Sequence, residues 1–170
     1  MIRRLTVLVA ATLLALILAA PAALAGGATQ ISGVGVFDDL RDPECNDPGV
    51  EGPGGEDPDY ALRMSGVLKG CLYTFVDPDP AVSPSGTYRE TGTELFVGSW
   101  GGETGTFRTT YRFEAKYEDV ANLSGEIFGR CQHPIVEGSG TGVFEGVSGI
   151  LLFKDDVETG EFFYRGHLRY

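Results

Sequence analysis

Two carboxylates four residues apart, Glu90 and Glu94 in "TYRETGTELFVG", are the residues whose type and spacing most directly offer chemistry. On a strand they share a face with Tyr88 and Phe96. Turned inward, they would sit in an apolar interior, where burial raises a carboxyl's pKa and fits it for general acid or base work. They would stand roughly 13 Å apart along an extended chain. Glycosidases place their two carboxyls about 5–5.5 Å or about 6.5–9.5 Å apart, so this pair alone makes no glycosidase. The opposite register puts Thr91, Thr93, Leu95 and Val97 inside and both glutamates in water. That solvated arrangement is the expectation, and it leaves Glu90 and Glu94 as catalytic candidates only. His133, before Pro134 at a strand end, is the third candidate and reads as a rim histidine. His167 lies among Arg165 and Arg169 on a polar face. Two histidines on different strands, with no carboxylate placed beside them, fall short of a metal site. No metal and no cofactor are therefore expected. Asp155 and Asp156 with the acids of 41–59 lack the EF-hand spacing for calcium, and no serine stands in a G-x-S-x-G context.

The glycines of "GTGVFEGVSG", 140–149, imitate a nucleotide loop. The fit fails on inspection. Gly146 comes one place late for G-x-G-x-x-G, no Lys-Ser or Lys-Thr follows, and "GILLFKDD" continues as a strand rather than a helix. The glycines instead suit a tight reversal between strands, with Val143, Phe144 or Val147 plugging one end of the fold.

The elements that must position these residues read as strands almost throughout. In "TGTFRTTYRFEAKYE", 104–118, Phe107, Tyr111, Phe113, Ala115 and Tyr117 share one face and Arg112 and Glu114 take the other, a period of two. Tyr111 and Phe113 should therefore face the interior with Tyr88 as ligand-cavity residues, with Arg112 and Glu114 outside. "GEFFYRGHLRY" alternates in the same way. Further strands are predicted at 29–37, 60–76, 86–98, 121–133 and 148–156, linked by Asp-Pro, Gly-Gly and Thr-Gly turns. Residues 41–59, rich in Pro, Gly and acid, read as one flexible loop. A meander of this size removes its exposed edges by closing. The fold class is all-β, a closed antiparallel up-and-down barrel of about eight strands, with a two-sheet sandwich as the alternative.

Residues 1–25 have the layout of a secretory signal peptide: Arg3-Arg4, an apolar run, then Ala23-Leu24-Ala25 as a cleavage signal. A single domain over 26–170 follows, large enough for a real core. All 24 acidic residues but only 11 of the 13 basic ones follow the leader, since Arg3 and Arg4 belong to it, leaving a formal charge of −13. Such a surface repels nucleic acid and anionic lipid, so neither nucleic acid nor, once the leader is cleaved, membrane is an expected partner. The expected location is outside the cell. There one disulfide among Cys45, Cys71 and Cys131 is the default. If 60–76 is one strand of a meander, Cys131 ends near the level of the 41–59 loop. Cys71 lies eleven residues up its strand, roughly 36 Å away, whereas bridged Cα atoms stand about 4.4–6.8 Å apart. The expected bond is Cys45–Cys131, tying the acidic loop across the barrel mouth.

The segment "GSGTGVFEGVSGILLFKDDVETGEFFYRGHL", 138–168, resembles the late part of the allene oxide cyclase and dirigent-like barrel families. Through "GCLYTF", "GTYRETGTELFVG" and "GRCQHPIV" the chain is similar to secreted bacterial relatives of those families. The resemblance spans most of residues 60–170. It implies an eight-stranded barrel with an internal cavity, homo-oligomers that are often trimers, and either cyclisation of an unstable fatty-acid epoxide or steering of phenoxy-radical coupling. No family catalytic residue maps onto a motif here. Cys71 and Cys131 both lie in the resembling segments, which makes Cys71–Cys131 the rival disulfide. Two functions follow as expectations. One is a barrel binding a small apolar or aromatic ligand; the other is an isomerase or cyclase of the allene oxide cyclase type. An ionisable residue buried on the Tyr88–Phe96 face would favour the enzyme, and an all-apolar cavity would favour binding.

Overall fold

The computed structural model describes residues 27–38, 44–45 and 49–170. The leader read over 1–25 lies outside the described residues, as do 39–43 and 46–48 of the acidic segment. The strands are β1 (Thr29–Phe37), β2 (Tyr60–Gly66), β3 (Leu68–Val76), β4 (Ala81–Val82), β5 (Thr87–Trp100), β6 (Glu103–Asp119), β7 (Ser124–Pro134), β8 (Thr141–Gly142), β9 (Ser148–Asp156) and β10 (Glu161–Arg169), with no helix among the described residues. Eight of them, β1, β2, β3, β5, β6, β7, β9 and β10, pair antiparallel each with the next, and β10 pairs back to β1. The ring is closed, so the fold is an up-and-down barrel and not a sandwich. The short β4 and β8 lie outside the ring, on β5 and β6.

The expected single strand over 60–76 is two. The chain reverses at Gly66-Val67, and β3 returns along β2 with Arg63 opposite Cys71. Gly66 has φ +102°, and a Cβ there would come within 2.6 Å of Gly33 Cα, so the turn needs a glycine. Because the apolar residues continue through this turn, the reversal is hidden in the hydrophobic pattern.

That reversal overturns the expected Cys45–Cys131 bond. The disulfide joins Cys45 to Cys71, with Cα atoms 5.6 Å apart. Cys131 is free and buried. Cys71 faces outward, since Leu72 and Thr74 take the interior positions of β3. The bond therefore fastens the acidic segment to the outside of the barrel wall and not across its mouth. A second, exterior cluster forms there: Cys45, Val50, Tyr73 and Phe75, packed with Leu95 and Val97. Arg108 supports it by donating to the Glu51 carbonyl at 3.3 Å. A Cys71→Ser variant is expected to lose about 3 kcal/mol, the size expected for releasing a closed loop of this length. Urea unfolding measures the loss. Native thiol titration of the wild type should leave Cys131 unreacted, and rapid modification of it would refute its burial.

The barrel interior is layered. At one end the β2–β3 and β5–β6 turns meet the 134–148 connection, whose Phe144 and Val147 are fully buried among Leu68, Phe96, Phe107 and Leu168. The glycine-rich segment is a reversal that plugs the barrel, as its pattern implies. At the other end, Phe37 and Tyr60 at the ends of β1 and β2 and the β3–β5, β6–β7 and β9–β10 connections surround an open mouth.

Candidate functional site

A cavity of about 300 Å³ lies behind that mouth. Its wall is largely aromatic: Tyr60, Tyr88, Phe113, Tyr117, Phe153 and Phe162, with exposed Phe37 and Leu123 at the rim. Of the cavity residues read from the sequence, Tyr88 and Phe113 are on this wall. Tyr111 is interior and buried, but it sits one layer deeper, in the polar cluster below. Arg112 is exposed and Glu114 is held outside between Arg89 and Arg130.

Glu90 and Glu94 are where the expectation did not put them. Both face inward with Tyr88 and Phe96, while Leu95 and Val97 face out. The apolar pair had marked the wrong face because the disulfide-fastened segment buries it from outside. Inside, fixed donors satisfy the acids. The Tyr88 and Tyr111 hydroxyls each donate to Glu90 at 2.6 Å. Glu94, 2 % exposed, accepts from Thr109 Oγ1 at 2.5 Å and from Thr74 Oγ1 at 3.3 Å. His133 completes the set. It is no rim residue but 4 % exposed, with Nδ1 2.6 Å from Glu94 Oε2. The register explains the meeting: Glu94 stands opposite Thr74 on β3 and Thr109 on β6. The His133 ring lies against Phe153 and Tyr111. With Nδ1 donating to Glu94, Nε2 is buried without a partner.

Burial first, and then the hydrogen bond to Glu90, pushes the Tyr88 and Tyr111 hydroxyls well above the ordinary tyrosine range. Burial likewise lifts the Cys131 thiol, helped by the charge of Glu94. This thiol is a protonated wall residue, a weak nucleophile.

A second acid pair, Glu126 and Asp155, lines the cavity nearer the mouth. Asp155 follows Leu151 and Phe153 on the inward face of β9, so alternation alone places it inside. Glu126 was not legible. A bulge leaves Ile127 unpaired, with Lys116 opposite Phe128 and Tyr117 opposite Glu126, and this reverses the alternation read back from His133 and Cys131. Burial, then the hydrogen bond with Glu126 and its charge, pushes the Asp155 carboxyl up from 3.8 to about 7. The folded protein therefore keeps a proton that the unfolded chain releases near pH 4. Stability from this group is full below that pH and is lost as pH rises toward 7. Asp155→Asn, which keeps the shape without the charge, is expected to stabilise the protein at pH 8 by about 1 kcal/mol, allowing for solvent screening. The gain should vanish by pH 4. Urea midpoints at the two pH values check it, and an equal gain at both would refute the assignment.

Fold and site together define a small closed β-barrel with an open, aromatic-walled, acid-lined cavity. No family model matches the chain, and no curated protein matches it either.

Proposed function

We propose that this is an exported barrel protein that holds one small, largely aromatic or apolar molecule in its cavity. The cavity carries the reading: about 300 Å³ with an aromatic wall, the lower end of the size range of ligand pockets. The resemblance of 138–168 to the allene oxide cyclase and dirigent-like barrels agrees with it. Export rests on the leader over 1–25 and on the Cys45–Cys71 bond, a linkage that persists in oxidising compartments. Native mass spectrometry of the protein collected after export from its own cell tests both parts. The expected species lacks the leader, is two hydrogens lighter than the reduced chain, and carries one small molecule. Protein that arrives empty and uncleaved would count against the proposal.

The second reading, an isomerase or cyclase, is favoured by a specific observation: the buried Glu94–His133 pair on the Tyr88–Phe96 side of the cavity. Buried ionisable groups in a cleft mark functional sites, and the histidine has Nε2 left to exchange a proton. Against it, Glu90 and Glu94 are saturated by fixed donors, which suits a permanent scaffold better than a base that must change partners. Conversion of the co-purified molecule by wild type, with conversion lost but binding kept in Glu94→Gln, would move the second reading ahead of the first.

A further inference from the structure

Resting on the reading of the cavity as a ligand site, we propose that the ligand is a small aromatic or alkyl amine, bound as its cation. Four carboxylates, Glu90, Glu94, Glu126 and Asp155, line the cavity, and no lysine or arginine does. An unpartnered polar atom on this wall is the second observation. The orphaned atom is His133 Nε2, on a side chain 5 % exposed. In the tautomer whose Nδ1–H donates to Glu94, Nε2 carries the lone pair. That atom is an acceptor, so the missing partner is a donor. The Tyr88 and Tyr111 hydroxyls are committed to Glu90 and cannot turn to supply it.

An ammonium group meets every one of these conditions. It brings up to three N–H donors and no acceptor. Its positive charge opposes the acids. Its hydrocarbon part packs on the Tyr60, Tyr88, Phe113 and Phe153 rings, whose faces attract a cation. A neutral alcohol satisfies one acceptor and leaves the charge unopposed. A carboxylate, including the head of a fatty acid, would add another acid to a poorly screened, acid-lined space and is expected to stay out.

Three probes of one shape separate the cases: tryptamine, tryptophol and indole-3-acetate. Titration calorimetry on the mature, disulfide-bonded chain at pH 8 keeps the amine cationic. Tryptamine is expected to bind roughly tenfold tighter than tryptophol, and indole-3-acetate not at all. The tryptamine preference should narrow about threefold or more in Glu126→Gln and, as an independent variant, in Asp155→Asn. Equal affinity for tryptamine and tryptophol, or tighter binding of indole-3-acetate, overturns the amine while leaving the cavity reading in place. Failure of all three to bind also overturns the amine; the cavity reading is then judged separately by the co-purified molecule.

Discussion

Replacing His133 with leucine while Glu94 is kept is expected to destabilise the barrel by about 3 kcal/mol, the cost of leaving a buried carboxyl short of a hydrogen-bond partner. Glu94 is 2 % exposed and His133 4 %, so water cannot take the histidine's place. The carboxylate would keep only the Thr109 and Thr74 hydroxyls. Removing both partners is a different experiment. A well-packed apolar pair of similar volume is often as stable as the buried polar pair it replaces, so Glu94→Met with His133→Leu should recover most of the loss. It should stay about 1–2 kcal/mol short, because the two threonine hydroxyls then lose their acceptor. Urea unfolding of wild type, the two single variants and the double variant gives the cycle. A His133→Leu variant within about 1 kcal/mol of wild type would mean that the pair is not buried and coupled as described.

The strands themselves were plain in the sequence, because nearly every interior face keeps a period of two. β6 is the clearest case. Phe107, Tyr111, Phe113, Ala115 and Tyr117 read as one face and lie inside. What escaped were places where a second physical requirement overrides the pattern. β5 carries two apolar-looking faces, since Leu95 and Val97 are covered from outside by the segment that Cys45 fastens down. The buried glutamates on its other face are tolerated only because donors on β3, β6 and β7, with Tyr88 of β5 itself, meet them. No single-strand pattern can show donors that come from other strands. The β2–β3 turn at Gly66-Val67 hides because apolar residues recur on both sides of it, Leu62 and Met64 before and Val67 and Leu68 after, and losing it reversed the direction of β3 and so the disulfide argument. Glu126 is inside because a bulge inserts Ile127. The last of these is a failure of register, where a shift of one residue exchanges inside and outside. The candidates Glu90, Glu94 and His133 were nevertheless the right residue types. The fold brings all three to one cavity, and the register that does so was legible only from β6 outward.

Truncating the plug, Phe144→Ala, is expected to cost about 3–5 kcal/mol, the range for deleting a buried phenylalanine ring. Phe144 is fully buried and meets Phe107 edge-on at 5.0 Å and Phe96 at 5.7 Å, so its loss leaves a hole among rings that cannot close over it. The backbone that presents it has no freedom to compensate. Gly142 has φ +57°, and a Cβ on Gly140 would run into the Phe144 carbonyl. The reversal from β8 back toward β9 is therefore held in one path, and relaxing the plug would mean rebuilding the turn. The plug and the open cavity are at opposite ends, separated by the Glu94–Thr74–Thr109–His133 layer. If that layer is rigid, Phe144→Ala should lower stability and leave the ranking of tryptamine, tryptophol and indole-3-acetate unchanged. Phe144→Leu, which keeps most of the volume, should lose about 1–2 kcal/mol. A Phe144→Ala protein that unfolds at the wild-type urea midpoint would show that the glycine-rich turn does not seal the barrel. One that keeps its fold but reverses the probe ranking would show that the two ends are coupled through the polar layer.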